Sequence, residues 1–254
     1  MHDFFLYLLL ALTGLVAGFV NTLAGGGSFL TLPALIYLFG LPPQIANATN
    51  RFSVIFYTAT SSSVFLKHNL TDKSLFLKLL VPSAAGAVAG AYLAVYLPQN
   101  MFQFVFGLAM IAMAFTLAFK PKILLEAKHN TRPGPLKEFI VFFLIGAYAG
   151  FMQAGVGLLL IAGVAIFHAK DLVKANAIKV TLAFCFALFS VIIFALHHQI
   201  EYGKGAALTL GATIGAFIGA KLAIKKGAQI ILPFVIAIAV LTGINLIYRA
   251  FTAM

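Results

Sequence analysis

Charge is scarce in this chain. Only 9% of its 254 residues are Asp, Glu, Lys or Arg, against about 25% in soluble globular proteins. Residues are 62% hydrophobic and the mean hydropathy is +1.05, leaving too little polar surface to coat a water-soluble fold of this size. Cys185 stands alone, so no disulfide can form within the chain, and a secreted disulfide scaffold is excluded. The same hydrophobicity excludes disorder. What remains is an all-α polytopic membrane protein. Carboxylates are rarest of all: Asp3, Asp72, Glu126, Glu138, Asp171 and Glu201 are the complete set, and each falls at the end of an apolar run or between runs.

Basic residues number 17, for a net charge of +11. They are strung in short clusters between apolar runs, so the charge reads as membrane topology and not as a nucleic-acid surface. Met1-His2-Asp3 has no basic n-region, which argues for a retained first membrane segment instead of a cleaved signal.

Ten apolar segments can be marked off: 4–23, 29–39, 46–66, 74–97 and 101–119, then 139–152, 156–167, 175–196, 203–224 and 230–250. A polar stretch, Lys120 to Lys137, divides them into repeat one (1–119) and repeat two (138–254) of a single transport domain, 1–254. The second and seventh segments are short, and each follows a glycine break, Gly25-Gly26-Gly27 or Gly155-Val156-Gly157. Residues 46–94 align on 175–223 in ordered blocks: Ala46-Asn47-Ala48 on Ala175-Asn176-Ala177, His68 on His197, Gly86-Ala87 on Gly215-Ala216, and Gly90-Ala91 on Gly219-Ala220. This predicts an internal duplication.

If all ten segments count towards parity, 14 of the 17 basic residues fall on one side and 3 on the other. Counting eight crossings instead, with the short segments re-entrant, gives 10 against 7. The positive-inside rule favours the first scheme, with the middle loop cytoplasmic and both termini outside. Five elements per repeat then invert one repeat against the other, an arrangement frequent in secondary transporters. Phe4–Phe39 and Phe139–Phe167 hold 36 and 29 residues, fewer than the ~40 of two full crossings. Each break is therefore expected within the membrane, as the tip of a short helix pair. Backbone exposed at that depth must be buried in protein or line a wet cavity.

The interior chemistry follows from sign. No carboxylate enters a predicted helix to hold Na⁺ or relay a proton. Arg51 and Lys179 do enter, one turn after Asn47 and three residues after Asn176. Either cation could bind substrate, or snorkel to the headgroups from so near a segment start. Asn47, Asn50, Arg51, Thr58, Ser61 and Ser62 share one helical stripe, suited to lining a polar cavity. Gly86/Gly90 and Gly211/Gly215/Gly219 are spaced for helix packing. His68, His197 and His198 fall at segment ends and are assigned to the interface. No cofactor or metal set is recognised.

The run Gly18-Phe19-Val20-Asn21-Thr22-Leu23-Ala24-Gly25-Gly26-Gly27-Ser28, with Pro33-Ala34-Leu35 and Ala46-Asn47-Ala48-Thr49-Asn50, resembles the first half of the sulfite exporter TauE/SafE family. The second-half motif departs from it, with fewer glycines and with Gly163 standing where the first half has Pro33. The resemblance implies a plasma-membrane permease for sulfite, sulfonates or related organic anions. The expected substrate site comprises Asn21, Gly25, Gly26, Gly27, Ser28, Asn47, Thr49, Asn50 and Arg51, with Gln153, Gly155, Gly157, Asn176 and Lys179 as counterparts. Expected partners are a small anion and the lipid bilayer, with a second copy of the chain as a candidate. An anion channel is the alternative function. An intramembrane enzyme is disfavoured, since no Gly-x-Ser-x-Gly, His-Glu-x-x-His, Walker loop or intramembrane Asp pair is found.

Overall fold

A computed structural model describes residues 2–119, 134–168, 172–223 and 232–252; the middle loop from Lys120 to Pro133, together with Lys170, Lys225 and Lys226, lies outside the described residues. Helices account for all of the regular structure described. In chain order they are α1 (His2–Ala24), α2 (Ser28–Pro33, widening into a π-turn over Ala34–Leu38), α3 (Pro43–Lys67), α4 (Lys73–Tyr96) and α5 (Gln99–Phe119). There follow α6 (Pro135–Phe151), α7 (Val156–His168), α8 (Leu172–Leu196), α9 (Tyr202–Ala223) and α10 (Leu232–Thr252). All ten sequence segments are found as helices, with ends shifted by a few residues.

Spans within α1, α4, α5, α8 and α9 are long and apolar enough to cross a bilayer, while α2 and α7 are shorter apolar helices. Large apolar side chains such as Leu12, Leu93, Leu144 and Leu210 point outward, as a lipid-facing surface requires. α3 is long yet polar, and its stripe turns inward: Asn47, Asn50, Arg51, Ser53, Thr58, Ser61 and Ser62 are all buried. Polar groups in a hydrocarbon medium must find protein partners, so this helix belongs at the centre of the bundle.

Glycine sets the closest helix contacts. A Cβ at Gly14 or Gly18 of α1 would strike the backbone of Leu208 or Ala212 on α9, and one at Gly211 or Gly215 would strike that of Ala11 or Leu15. The same interlock joins α4 to α6, where Gly86 and Gly90 meet Phe143 and Ala147, and Gly146 and Gly150 meet Ser83 and Ala87. Close backbone approach replaces the hydrophobic drive that lipid does not supply. The registers show that α1 and α9 run in one direction, as do α4 and α6. By contrast α3 and α8 run oppositely, with Ser62 beside Thr181 and Arg51 beside Phe194. α5 and α10 also run oppositely, joined at Gly107 and Gly243 and with Phe104 against Phe251. Each half of the chain thus packs its first helix on the fourth helix of the other.

α6 begins four residues before the predicted segment, at Pro135, and so takes in Glu138. That carboxylate is buried in the first turn, where it accepts from Lys78 Nζ (2.8 Å) and pairs with His168 Nε2 (3.0 Å). It remains at a helix end, tying α4, α6 and α7 together.

Candidate substrate site at the two helix breaks

The first break is built by glycine. Gly25 adopts φ +81°, a left-handed value that costs an L-residue about 1–2 kcal/mol, and its N–H closes on the Asn21 carbonyl at 2.9 Å. A Cβ at Gly27 would run into the Ala17 carbonyl, so the returning chain lies against α1. α2 is then fastened to α3: Asn50 Oδ1 accepts from the Thr31 hydroxyl at 2.7 Å, and Asn50 Nδ2 donates to Ser28 Oγ at 3.2 Å.

The second break forms with fewer glycines. Gly155 takes φ +75°, and Gln153 takes φ +59° without being glycine. The Tyr148 hydroxyl donates to the Ala154 carbonyl at 2.6 Å and holds the turn. α7 folds back on α6, with the Phe142 and Phe167 rings 5.9 Å apart and His168 returning to Glu138. The departure from the first-half motif therefore still yields a helix pair.

A helix that ends inside a membrane leaves its last carbonyls without partners. Here α3 and α8 supply them, each to the opposite half. Arg51 donates through Nη1 to Ala149 O and through Nη2 to Gly150 O (3.0 Å), while Asn47 Nδ2 donates to Phe151 O at 2.8 Å. Lys179 Nζ donates to Asn21 O (2.9 Å) and Thr22 O (3.1 Å), and Asn176 Nδ2 to Thr22 O at 3.0 Å. Both cations are fully buried, Arg51 at 0% and Lys179 at 1% exposure, so neither snorkels. Among the described residues neither has a carboxylate within ion-pair distance. The negative ends of the α6 and α1 dipoles offset part of each charge.

Nine of the fourteen sequence-predicted residues fall into three neighbourhoods. Asn47 and Arg51 sit at the end of α6, with the guanidinium 5.8 Å from the Phe194 ring centre. Asn21, Gly25, Gly157, Asn176 and Lys179 gather at the end of α1. Ser28 and Asn50 join α2 to α3. Gly26, Gly27 and Gln153 are buried within the breaks themselves, and Gly155 approaches Phe29 and Met113. Thr49 lies apart, accepting from the Glu201 N–H at 3.0 Å where α9 starts. The grouping differs from that expected: Asn47 and Arg51 face the opposite half, not the Gly25–Ser28 tip, because the α6 carbonyls need donors. Arg51 Nε, Asn47 Oδ1, Gln153 Oε1 and Asn176 Oδ1 are buried with no partner among the described residues. Sequence reasoning missed Thr22 and the Ala149–Phe151 carbonyls, since a backbone acceptor has no residue signature.

The profile of the sulfite exporter TauE/SafE family matches residues 10–246. The chain belongs to that family. Within it, the chain is similar to a probable membrane transporter protein, ORF9, of a Sinorhizobium species, 27% identical over 97% of this chain and 95% of that one. A probable membrane transporter protein of Haemophilus influenzae is 27% identical over 92% of both chains. The probable membrane transporter protein YfcA of Escherichia coli is 24% identical over 92% of this chain and 87% of its own. No solved structure matches significantly. As a family member the chain is a membrane transporter.

Proposed function

We propose that this transporter carries small sulfur-containing or organic anions, such as sulfite or sulfonates, as an exporter of the plasma membrane, by alternating access between two inverted repeats. The observation that carries the reading is the pair of fully buried cations, Arg51 and Lys179, each bonded, among the described residues, to carbonyls of the opposite half. Such a cation holds capacity for an anion: a guanidinium offers five donors, and Arg51 Nε has no protein acceptor. An oxyanion can take charge-assisted bonds there, with no carboxylate of the described residues paired to either cation. The inverted pairing is supported by the opposed directions of α3 against α8 and α5 against α10, and by the exchange of first and fourth helices. Rocking one half against the other would expose the helix breaks to each side in turn.

The name of the matched family supports sulfite as the first probe. The experiment is a thermal-shift series on purified protein with sulfite, sulfonates, sulfate, short carboxylates and organic cations, followed by flux in proteoliposomes. Protection by an anion, with saturable and exchangeable flux, is expected. Protection by cations alone would overturn the assignment of substrate sign, and flux that never saturates would favour a channel.

A further inference from the structure

Beyond the two breaks, the ends of the central α3–α8 pair are chemically unlike. Towards one end the contacts between helices are made by hydroxyls. Thr22 Oγ1 and Ser61 Oγ are 2.9 Å apart, joining α1 to α3, and Ser62 Oγ and Thr181 Oγ1 are 2.9 Å apart, joining α3 to α8. Thr22, Ser61 and Ser62 are buried, and Thr22 is also the residue whose carbonyl receives Lys179 and Asn176. A polar line thus runs inward from the buried ammonium, away from the Lys67 end, through the hydroxyls of Thr22, Ser61, Ser62 and Thr181. Asn176, 5% exposed, adds a buried Oδ1 with no protein partner beside this line.

At the other end the positions matched to the Ser62–Thr181 pair are apolar. Ser62 and Thr181 align on Val191 and Phe52 of the opposite half, and Arg51 is closed in by Phe194, with Phe151 against Phe102 at 5.2 Å. Ser61 aligns on Ser190, which is fully buried and whose hydroxyl has no partner among the described residues.

We infer that the substrate path is asymmetric: a hydroxyl constriction formed by Thr22–Ser61 and Ser62–Thr181 opens towards the lysine-bearing end, while aromatic and aliphatic packing around Phe194 and Val191 closes the other until the two halves rock. This rests on the anion reading of the site. A hydroxyl is donor and acceptor at once, so each pair can part and turn both O–H groups to an oxyanion without leaving a charge behind. Neutral donors bind weakly enough to pass the ion inward or release it, whereas Lys179, nearer that end, draws it in. Exposed Lys67 at the end of α3, and exposed Lys73 and Lys174 at the starts of α4 and α8, lie towards this end.

The test is thiol labelling by a membrane-impermeant charged methanethiosulfonate in right-side-out and inside-out vesicles. It uses a Cys185→Ser chain whose sulfite flux is first matched to wild type. Lys73→Cys marks the lysine-bearing face. Ser62→Cys is expected to react from that face about tenfold faster than from the other, with sulfite slowing it; Val191→Cys is expected to react from either face about tenfold more slowly than Ser62→Cys does from the lysine-bearing one. If Ser62→Cys fails to fold, Thr181→Cys probes the same contact from α8. Labelling of Val191→Cys as fast as Ser62→Cys, or no labelling of either hydroxyl position while sulfite still moves, overturns the asymmetric path. One-sided labelling in a chain that moves no sulfite upholds the path and removes the proposed substrate instead.

Discussion

Gly25 and Gly157 touch. A Cβ on Gly25 would lie 2.7 Å from the Cα of Gly157, and one on Gly157 would lie 2.6 Å from the Cα of Gly25. The two breaks, one from each half of the chain, therefore pass each other in backbone contact. Arg51 on one side and Lys179 on the other secure the helix ends that lead into them. Substitution at this contact is the sharpest test of the arrangement.

Gly157→Ala is expected to abolish transport or folding, because its closest neighbour would be the Gly25 backbone and not the end of a flexible side chain. Gly40→Ala is the control, since Gly40 has φ +63° but nothing within 4 Å of where the added methyl group would stand. It should cost only the left-handed strain, about 1–2 kcal/mol. Thermal unfolding in detergent and flux in proteoliposomes would check both. Equal tolerance of the two would show that the breaks do not meet.

Arg51→Ala leaves the Ala149 and Gly150 carbonyls without their donors, and each unsatisfied buried group costs about 1–3 kcal/mol. A lowered melting temperature is expected even without substrate. Arg51→Lys should recover part of the stability but lose the fork. If Arg51 also holds the substrate, anion affinity in folded Arg51→Ala falls about ten- to a hundredfold, the equivalent of a buried charge-assisted bond. Calorimetric titration with sulfite separates the effects, and unchanged affinity would leave Arg51 a cap alone.

Gly26→Val should damage transport more than Lys179→Ala if the first break is where substrate approaches. Gly26 is buried beside Gly25 and Gly27, and a branched side chain there fills the approach. Initial rates of sulfite uptake into inside-out vesicles measure this. A greater loss in Lys179→Ala would shift the weight of binding to the α1 end.

The Lys78–Glu138–His168 cluster should respond unequally to its members. Lys78 is 56% exposed at its side chain and Glu138 only 8%, so Lys78→Ala is expected to cost less than about 1 kcal/mol. Glu138→Ala removes the acceptor for both partners and should cost more, about 1–3 kcal/mol. Melting temperatures decide it, and equal small shifts would make the cluster a surface ornament.

Reporter fusions should place the segment 120–137 in the cytoplasm and both termini outside, from the uneven distribution of the 17 basic residues. A cytoplasmic C-terminus would reverse the orientation and with it the face expected for the hydroxyl path.

The ten helices were legible because a membrane makes segmentation a local matter: each run must satisfy its own backbone bonds, and glycine and proline mark where it cannot. Gly25 and Gly155 broke the runs as their positions foretold, and Asn50, from the polar stripe of α3, reached Ser28. The sign of the interior was legible too, since it depends only on which charged residues lie within apolar runs. The destination of Arg51 was not. Its partners are carbonyls of Ala149 and Gly150, about a hundred residues away and identical in kind to every other carbonyl in the chain. Only when α6 ended beside α3 did those groups become the acceptors a buried guanidinium needs. Sequence alone thus determined the elements, the breaks and the charge; tertiary structure decided which half each cation serves, because an orphaned helix end is created by packing and not by composition.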